Sequence, residues 1–454
     1  MSSRVSHVIV IGGGIIGVAS AWQLARHGHR VTILERREDV ALETSFANGG
    51  QISPSEAAPW SKPETVRLAL GWMLRANAPF RLHLAADTHQ WRWLWNFLSR
   101  CTHRANKEGF HQLLSLASYS ITEMRRVRET ARQEGWALDY DASQKGILRI
   151  FRNRGALERK RDSSACLSDR GMEMRTLTPD ECLALEPALA SNPENSRGGG
   201  LFTPQDESGD AHLFARALWE NAKALGVKAR FGAEVEALEQ NGNGRVVPRV
   251  QGEQLECDFV VLAAGCWSRE LALGLGISLP LWPVKGYSLT AEIADESRAP
   301  KISITDEERR TVFTRLGSRM RVAGLAEVAR STSEDFDPDR ARVLVRNIEH
   351  VFPDSFDPGT IRFWHGYRPM TWDSLPLIGK VPGCDGLWFN LGHGSQGWSF
   401  AMGSAALLAQ LVNNENPAID PAPYDPQQKL RSLLANYLPT GYKRDYTHNP
   451  KQWR

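Results

Sequence analysis

The chain has 454 residues, too many for one ordinary core, so two or three compact units or one fold of interleaved segments are expected. Its 55 basic and 52 acidic residues leave a net charge of only +3, which makes no whole-protein case for nucleic-acid binding, and no nucleic-acid motif is present. Ordinary hydrophobic and charged fractions exclude disorder, a collagen repeat and a disulfide scaffold, while six scattered cysteines without a C-x-x-C pair define no zinc site and suit reduced thiols in a cytosolic protein.

At the N-terminus, Arg4 followed by the uncharged run Val8 to Leu24 has the outline of a secretory signal, with Ala19-Ser20-Ala21 in the place of a cleavage site. Gly12, Gly13, Gly14 and Gly17 interrupt that run, and a helical pattern continues past Ala21. The run is also short of the ~20 apolar residues of a spanning helix. It reads better as structure. His7 to Ile11 is a β-branched run suited to a buried parallel strand, and it leads into Gly12-Gly13-Gly14-Ile15-Ile16-Gly17, a G-x-G-x-x-G sequence. Ile15 to His27 follows with helical spacing and stops at Gly28, and Arg30 to Leu34 forms a second strand that closes on Glu35.

This is one complete βαβ unit for a dinucleotide. Gly12 permits the tight turn, Gly14 lets backbone approach a pyrophosphate, and Gly17 lets helix and strand pack closely. Free N–H groups at the helix start hold phosphates, and Glu35 is spaced to accept hydrogen bonds from a ribose. The stretch Glu43 to Ser53 is small, polar and glycine-containing; it is either a second loop along the cofactor or an ordinary surface loop.

From Pro54 to about Arg132 the chain is dense in Trp, Leu and Arg and predicts several helices. Gly146 to Phe151 predicts a strand, Arg154 to Asp169 a helical stretch, and Pro193 to Gly200 a linker. Asp210 to Leu225 is a helix stopped by Gly226, followed by strand-like Val227 to Phe231 and Val235 to Leu238. Phe259 to Ala263 running into Ala264-Gly265 looks like a buried strand returning to the first sheet. Trp282 to Ala291 and Met320 to Val322 are further strands, which makes the middle of the chain a mixed sheet rather than a second dinucleotide unit. Near the C-terminus, Gly386 to Asn390 leads through Gly392-His393-Gly394-Ser395-Gln396-Gly397-Trp398 into a helix from Ser399 to about Leu411. That helix start can aim its dipole at negative charge.

Taken in order, Gly12 to Gly17, Ala41 to Ser45, Ala47-Asn48, Gln51 to Pro54, Leu185 to Leu189, Lys285 to Thr290, Arg368 to Thr371, Gly392 to Gly394 and Gly397-Trp398 resemble the D-amino acid oxidase-like flavoenzymes, most closely the bacterial D-amino acid dehydrogenases. The resemblance implies an α/β fold with FAD rather than NAD. It implies a discontinuous Rossmann-type FAD domain over 1–56, 200–277 and 366–414, a substrate domain on a mixed sheet over 57–199 and 278–365, and a tail over 415–454. It further implies oxidative deamination of D-amino acids to 2-oxo acids and ammonia, with electrons passed to a membrane quinone. A cytoplasmic protein is expected, either free or on the inner face of the plasma membrane. Enzymes of secondary amines or cyclic imino acids, such as sarcosine, glycine or a hydroxyproline, share the same scaffold, as would a silent flavin-binding subunit.

The resemblance assigns the flavin nucleotide to Gly12, Gly14, Ile16, Gly17, Glu35, Arg36, Thr44, Ser45, Asn48, Gly49, Gln51, Val235, Ala264, Gly265, Trp267 and Gly392 to Gly397. Relatives with covalent flavin use Cys or His near the Arg-Pro segment or the N-terminus; no Cys lies between Asp373 and Pro382, so non-covalent FAD is expected, with Cys384 and His365 the exceptions to watch. Arg368 is the expected clamp for a substrate carboxylate, since a planar guanidinium meets it with two parallel hydrogen bonds. Tyr287 is a second donor to that carboxylate, and His393 and Gln51 are further catalytic candidates. No side-chain base is obligatory. Once the amine has lost its proton to solvent, its lone pair expels the hydride.

Between Trp60 and Phe110, the basic Lys62, Arg67, Arg75, Arg81, Arg92, Arg100, Arg104 and Lys107 outnumber Glu64, Asp87 and Glu108, with Trp60, Trp72, Trp91, Trp93 and Trp95 among them. The segment suits either a membrane-surface contact or the core of the substrate domain.

Overall fold

A computed structural model describes residues 5–65, 78–164, 167–168 and 171–435. The expected features at Arg67, Trp72, Arg75, Cys166 and Asp169, and the end of the 415–454 tail, lie outside the described residues.

The strand His7–Ile11 sits near the centre of a six-stranded sheet, where Val8, Ile9, Val10 and Ile11 are buried. It pairs in parallel with Arg30–Leu34 on one side and Phe259–Leu262 on the other, so the chain does return to the first sheet after more than two hundred residues. Lys228–Arg230 and Leu387–Leu391 extend the sheet, and antiparallel Leu377–Lys380 closes one edge. Buried β-branched runs of this kind need cover on both faces. One face is covered by the helix Ile15–Arg26, which packs against the helices Ala211–Ala224 and Gly397–Val412. Asp210 caps the second of these by accepting from the amides of His212 and Leu213.

The second sheet has nine strands in mixed directions. Leu281–Glu292 runs antiparallel between Arg319–Val328 and Arg362–Thr371, while Ser303–Asp306 pairs in parallel with Ile147–Phe151. The helix Pro338–Val351 packs on this sheet around Tyr287, Leu289, Phe313 and Phe352. Pairing on both sides carries the short signal at Met320 to Val322 out to Val328, through Gly324.

Several expectations change. The Pro193 to Gly200 segment is no linker: Pro193–Ser196 is a 3-10 turn with Asn195 and Ser196 buried, and Gly199 opens the strand Gly199–Thr203 of the nine-stranded sheet. Its glycines serve close packing, since a Cβ on Gly198 would lie 2.8 Å from the carbonyl oxygen of Phe151. The strands Gly199–Thr203 and Arg362–Thr371 both belong to the larger sheet, so positions 200 and 366 fall within its strands and do not mark crossings between sheets. The region from Pro54 to Arg132 contains the helices Thr88–Arg100 and His103–Glu134, but also a 3-10 turn at Pro54–Glu56 and the strand Phe80–Leu82. The helix begun at Arg154 ends at Ser163.

Candidate active site

The glycine loop turns where the sequence places it. Gly12 has φ of 104°, and a Cβ there would lie 2.6 Å from the carbonyl oxygen of Ala263. A Cβ on Gly17 would collide with the carbonyl oxygen of Gly12, so Gly17 is the packing glycine and does not itself line the cavity beyond. A Cβ on Gly14, by contrast, would meet only Ser45 Oγ at 3.5 Å. Glu35 accepts from the amides of Gly13 at 2.6 Å and Arg37 at 2.8 Å, and Ser45 Oγ accepts from the amide of Ile15 at 3.0 Å. The carboxylate of Glu35 keeps lone-pair capacity for a ribose.

From this helix start a cavity of about 1890 Å³ extends between residues of both sheets. Gly12, Gly14, Ile16, Glu35, Arg36, Thr44, Ser45, Asn48, Gly49, Gln51, Val235, Ala264, Gly265 and Trp267 line it, as do Gly392, His393, Gly394, Ser395, Gln396 and Gly397. Arg36 pairs with Glu43 and lies 3.7 Å over the Trp267 ring, so both side chains are held at the cavity wall. Thr44 Oγ1 donates to the carbonyl of Tyr367 at 2.9 Å, which ties the Glu43 to Ser53 stretch to the larger sheet. That stretch is therefore a cavity wall and not a surface loop.

Farther along stands Arg368. Its side chain is half-buried and donates to the carbonyls of Leu325 at 3.1 Å and Lys285 at 3.3 Å, yet no carboxylate among the described residues pairs with it. Burial alone draws it down to about 10, so it stays cationic at neutral pH. Gly286, opposite Gly366 in the adjoining strand, leaves the space the guanidinium occupies. The sequence signal for Gly286 was present as a lone glycine inside the strand run Leu281–Glu292, where glycine marks close approach.

Two candidates are placed differently from expectation. Tyr287 borders the cavity, but its hydroxyl donates to Glu327 Oε2 at 3.2 Å, and Glu327 in turn pairs with buried Arg340. The phenol proton is therefore spent within the sheet and is not free for a substrate carboxylate. Gln51 uses its amide on Ser303 Oγ at 2.9 Å and Thr305 Oγ1 at 3.0 Å, which makes it a strut to the larger sheet. His393 is buried with no partner at Nε2, and desolvation lowers it to about 3. It is neutral near pH 7.

The tryptophans divide. Trp93 is buried and donates to the carbonyl of Met370 at 2.9 Å, and Trp60 lies 6.0 Å from Arg368 Cζ, whereas Trp91 and Trp95 are 53% and 74% exposed at the cavity rim. No helix among the described residues is long and apolar enough to cross a membrane, and none of those residues groups into a metal site.

The cavity suits a flavin dinucleotide by its own features. It joins a glycine turn and helix start, fit for a pyrophosphate, to a buried region where His393 Nε2, Gln396 Oε1 and Trp398 Nε1 lack partners. Comparison with known proteins agrees. The family described as DAO, FAD dependent oxidoreductase, matches residues 7–411. The chain is 39% identical over 413 residues to the D-amino acid dehydrogenase of Paramagnetospirillum magneticum, covering 91% of this chain and 96% of that relative. It is 41% identical over 414 residues to the one from Sinorhizobium medicae, covering 91% and 97%. Among solved structures it is similar to glycine oxidase from Geobacillus kaustophilus, with a TM-score of 0.71 and 22% identity over 92% of this chain and 98% of that one. It is also similar to L-proline dehydrogenase from P. horikoshii, with a TM-score of 0.70 and 17% identity over 94% and 99%. With a family match across nearly the whole chain and a cavity that suits the cofactor, the chain belongs to the DAO family of FAD-dependent oxidoreductases.

Proposed function

We propose that this flavoenzyme oxidises D-amino acids to imino acids, which water converts to 2-oxo acids and ammonia, and that it passes the electrons to a quinone. The observation that carries the reading is Arg368, a half-buried cation lining the cavity with no carboxylate paired to it among the described residues. A substrate carboxylate completes it, each charge-assisted hydrogen bond contributing about 1.5–3 kcal/mol. The relatives at about 40% identity, each named D-amino acid dehydrogenase, favour the D series.

In this reading Gly12, Gly14 and the amides beyond them hold the pyrophosphate, Glu35 the ribose, and the walls at Thr44 to Gly49, Val235, Ala264 to Trp267 and Gly392 to Gly397 hold the rest of a non-covalent FAD. Among the described residues no cysteine lines the cavity, and neither does His365. FAD, when bound, accepts the hydride from the substrate α-carbon. Arg368 fixes the carboxylate and so the direction of that C–H bond. His393 has too little proton affinity to serve as a base near pH 7, and Tyr287 is engaged by Glu327, so the ammonium gives its proton to solvent. The start of the helix Gly397–Val412 presents its dipole to negative charge gathering in the cavity. Exposed Trp91 and Trp95 support contact with the membrane surface where a quinone resides.

The test is anaerobic mixing of the holoenzyme with D-alanine, L-alanine, D-proline and sarcosine in turn, following visible flavin absorbance. Bleaching by the D-amino acids is expected. Bleaching by sarcosine alone moves the assignment to secondary amines, and a bound flavin that none reduces defeats the reading for this panel.

A further inference from the structure

The cavity that holds Arg368 has a second wall of mixed charge, which no motif singled out, where Lys62, Lys160 and Arg310 stand among Glu56, Glu64 and Glu307. Lys62 lines it, half-buried. Its amide donates to the carbonyl of Trp60 at 2.9 Å and its carbonyl accepts from the amide of Thr65 at 3.0 Å, so the turn that seats Trp60 near Arg368 also anchors the root of Lys62. Around it, Arg149 Nε and Lys160 Nζ approach Glu56 Oε1 at 2.8 and 2.7 Å, and Arg310 Nη1 reaches Glu307 at 2.8 Å. Each of those three cations has a carboxylate at contact distance. Lys62 has no ion-pair partner among the described residues, though Glu56 and Glu307 attract it from farther off. Burial and the neighbouring charges of Lys160 and Arg310 pull its ammonium down to about 8. An anion that comes within contact distance of this cation stabilises it.

Resting on the reading of Arg368 as the α-carboxylate clamp, we propose that Lys62 receives a second carboxylate, which makes acidic D-amino acids, D-aspartate or D-glutamate, the favoured substrates. The side-chain carboxylate supplies the missing counter-charge. Its isosteric amide does not, and leaves the half-buried ammonium unmatched. The negative charge of Glu56 is already matched by its ion pairs with Arg149 and Lys160.

Two measurements on the holoenzyme decide the matter. Anaerobic flavin reduction is followed with D-alanine, D-aspartate against D-asparagine, and D-glutamate against D-glutamine, in the native protein, Lys62→Met and Lys62→Arg. The expected preference for acid over amide, read in the apparent Kd for flavin reduction, is roughly ten- to hundredfold, as one charge-assisted contact gives. Lys62→Met collapses that ratio toward one and Lys62→Arg keeps most of it. Titration calorimetry with glutarate against butyrate supplies a readout without turnover, in which the dicarboxylate binds more tightly and Lys62→Met removes the difference. Reduction by D-alanine with no acid-over-amide preference, or a preference that survives Lys62→Met, overturns the proposal while the deaminase reading stands. If no D-amino acid reduces the flavin, the deaminase reading falls, and calorimetry alone then decides whether Lys62 binds a carboxylate.

Discussion

Gly286 and Arg368 occupy neighbouring antiparallel strands so closely that a Cβ on Gly286 would lie 2.5 Å from the guanidinium carbon of Arg368. The guanidinium therefore lies across Gly286, held there by the carbonyls of Lys285 and Leu325. Gly286→Ala should displace this guanidinium, the proposed carboxylate clamp, without touching the nucleotide end of the cavity. The expected outcome is a full complement of FAD with kcat/KM lowered roughly a hundredfold, the usual cost of misplacing a positioning group. Steady-state kinetics and the flavin-to-protein absorbance ratio check it.

Tyr287→Phe separates two roles. Because the phenol donates to the Glu327 carboxylate, its loss should cost about 1.5–3 kcal/mol of stability and leave kcat/KM within a few-fold of the native value. Urea unfolding beside kinetics reads both. A hundredfold loss of kcat/KM with unchanged stability would return Tyr287 to the substrate carboxylate.

The glycine loop gives a contrasting pair. Gly17→Ala drives a methyl into the carbonyl of Gly12 and should destabilise the protein by about 1–3 kcal/mol as an overpacked contact. Gly14→Ala faces open cavity beyond Ser45 Oγ, so the apoprotein should melt at the native temperature yet bind FAD more weakly. Thermal melts of the apoproteins, with FAD titrations followed by fluorescence, distinguish the two.

His393 makes a pH prediction. Its folded pKa is lowered to about 3 from 6.5, so between these values the unfolded chain binds a proton that the folded chain does not. Stability contributed at this position is complete above 6.5 and falls as the pH drops toward 3. His393→Gln should therefore lose less melting temperature than the native holoenzyme when the pH is lowered from about 7 to about 5. An equal loss in both would show that His393 does not titrate as its burial requires.

The rim tryptophans can be tested with vesicles. Trp95→Ser and Trp91→Ser should lower partition onto vesicles containing anionic lipid, as expected where tryptophans and basic residues lie in the membrane interface, without changing flavin reduction by substrate. Co-sedimentation reads partition. Undiminished binding in the double variant removes these residues from any membrane contact.

The nucleotide end of the site was legible in the chain because its instructions are local. The strand His7–Ile11, the glycine turn, the helix Ile15–Arg26 and the acidic end at Glu35 follow one another within thirty residues, and period and glycine spacing determine each. Resemblance to a family singled out Arg368, which no local pattern announces. Which polar groups remain free for a substrate was decided only in three dimensions. Tyr287 and Gln51 looked available until Glu327, Ser303 and Thr305 claimed them from strands far along the chain. The linker expected at Pro193 to Gly200 failed for a related reason, since glycine composition cannot tell a flexible joint from a crowded one, and here the crowding comes from Phe151 and Leu177. Lys62 and Glu56 carried no motif at all; their meaning lies in the charges that Arg149, Lys160, Glu307 and Arg310 bring from other segments. Backbone propensity acts over neighbours along the chain, whereas desolvation and charge act over neighbours in space, and only tertiary packing makes those known.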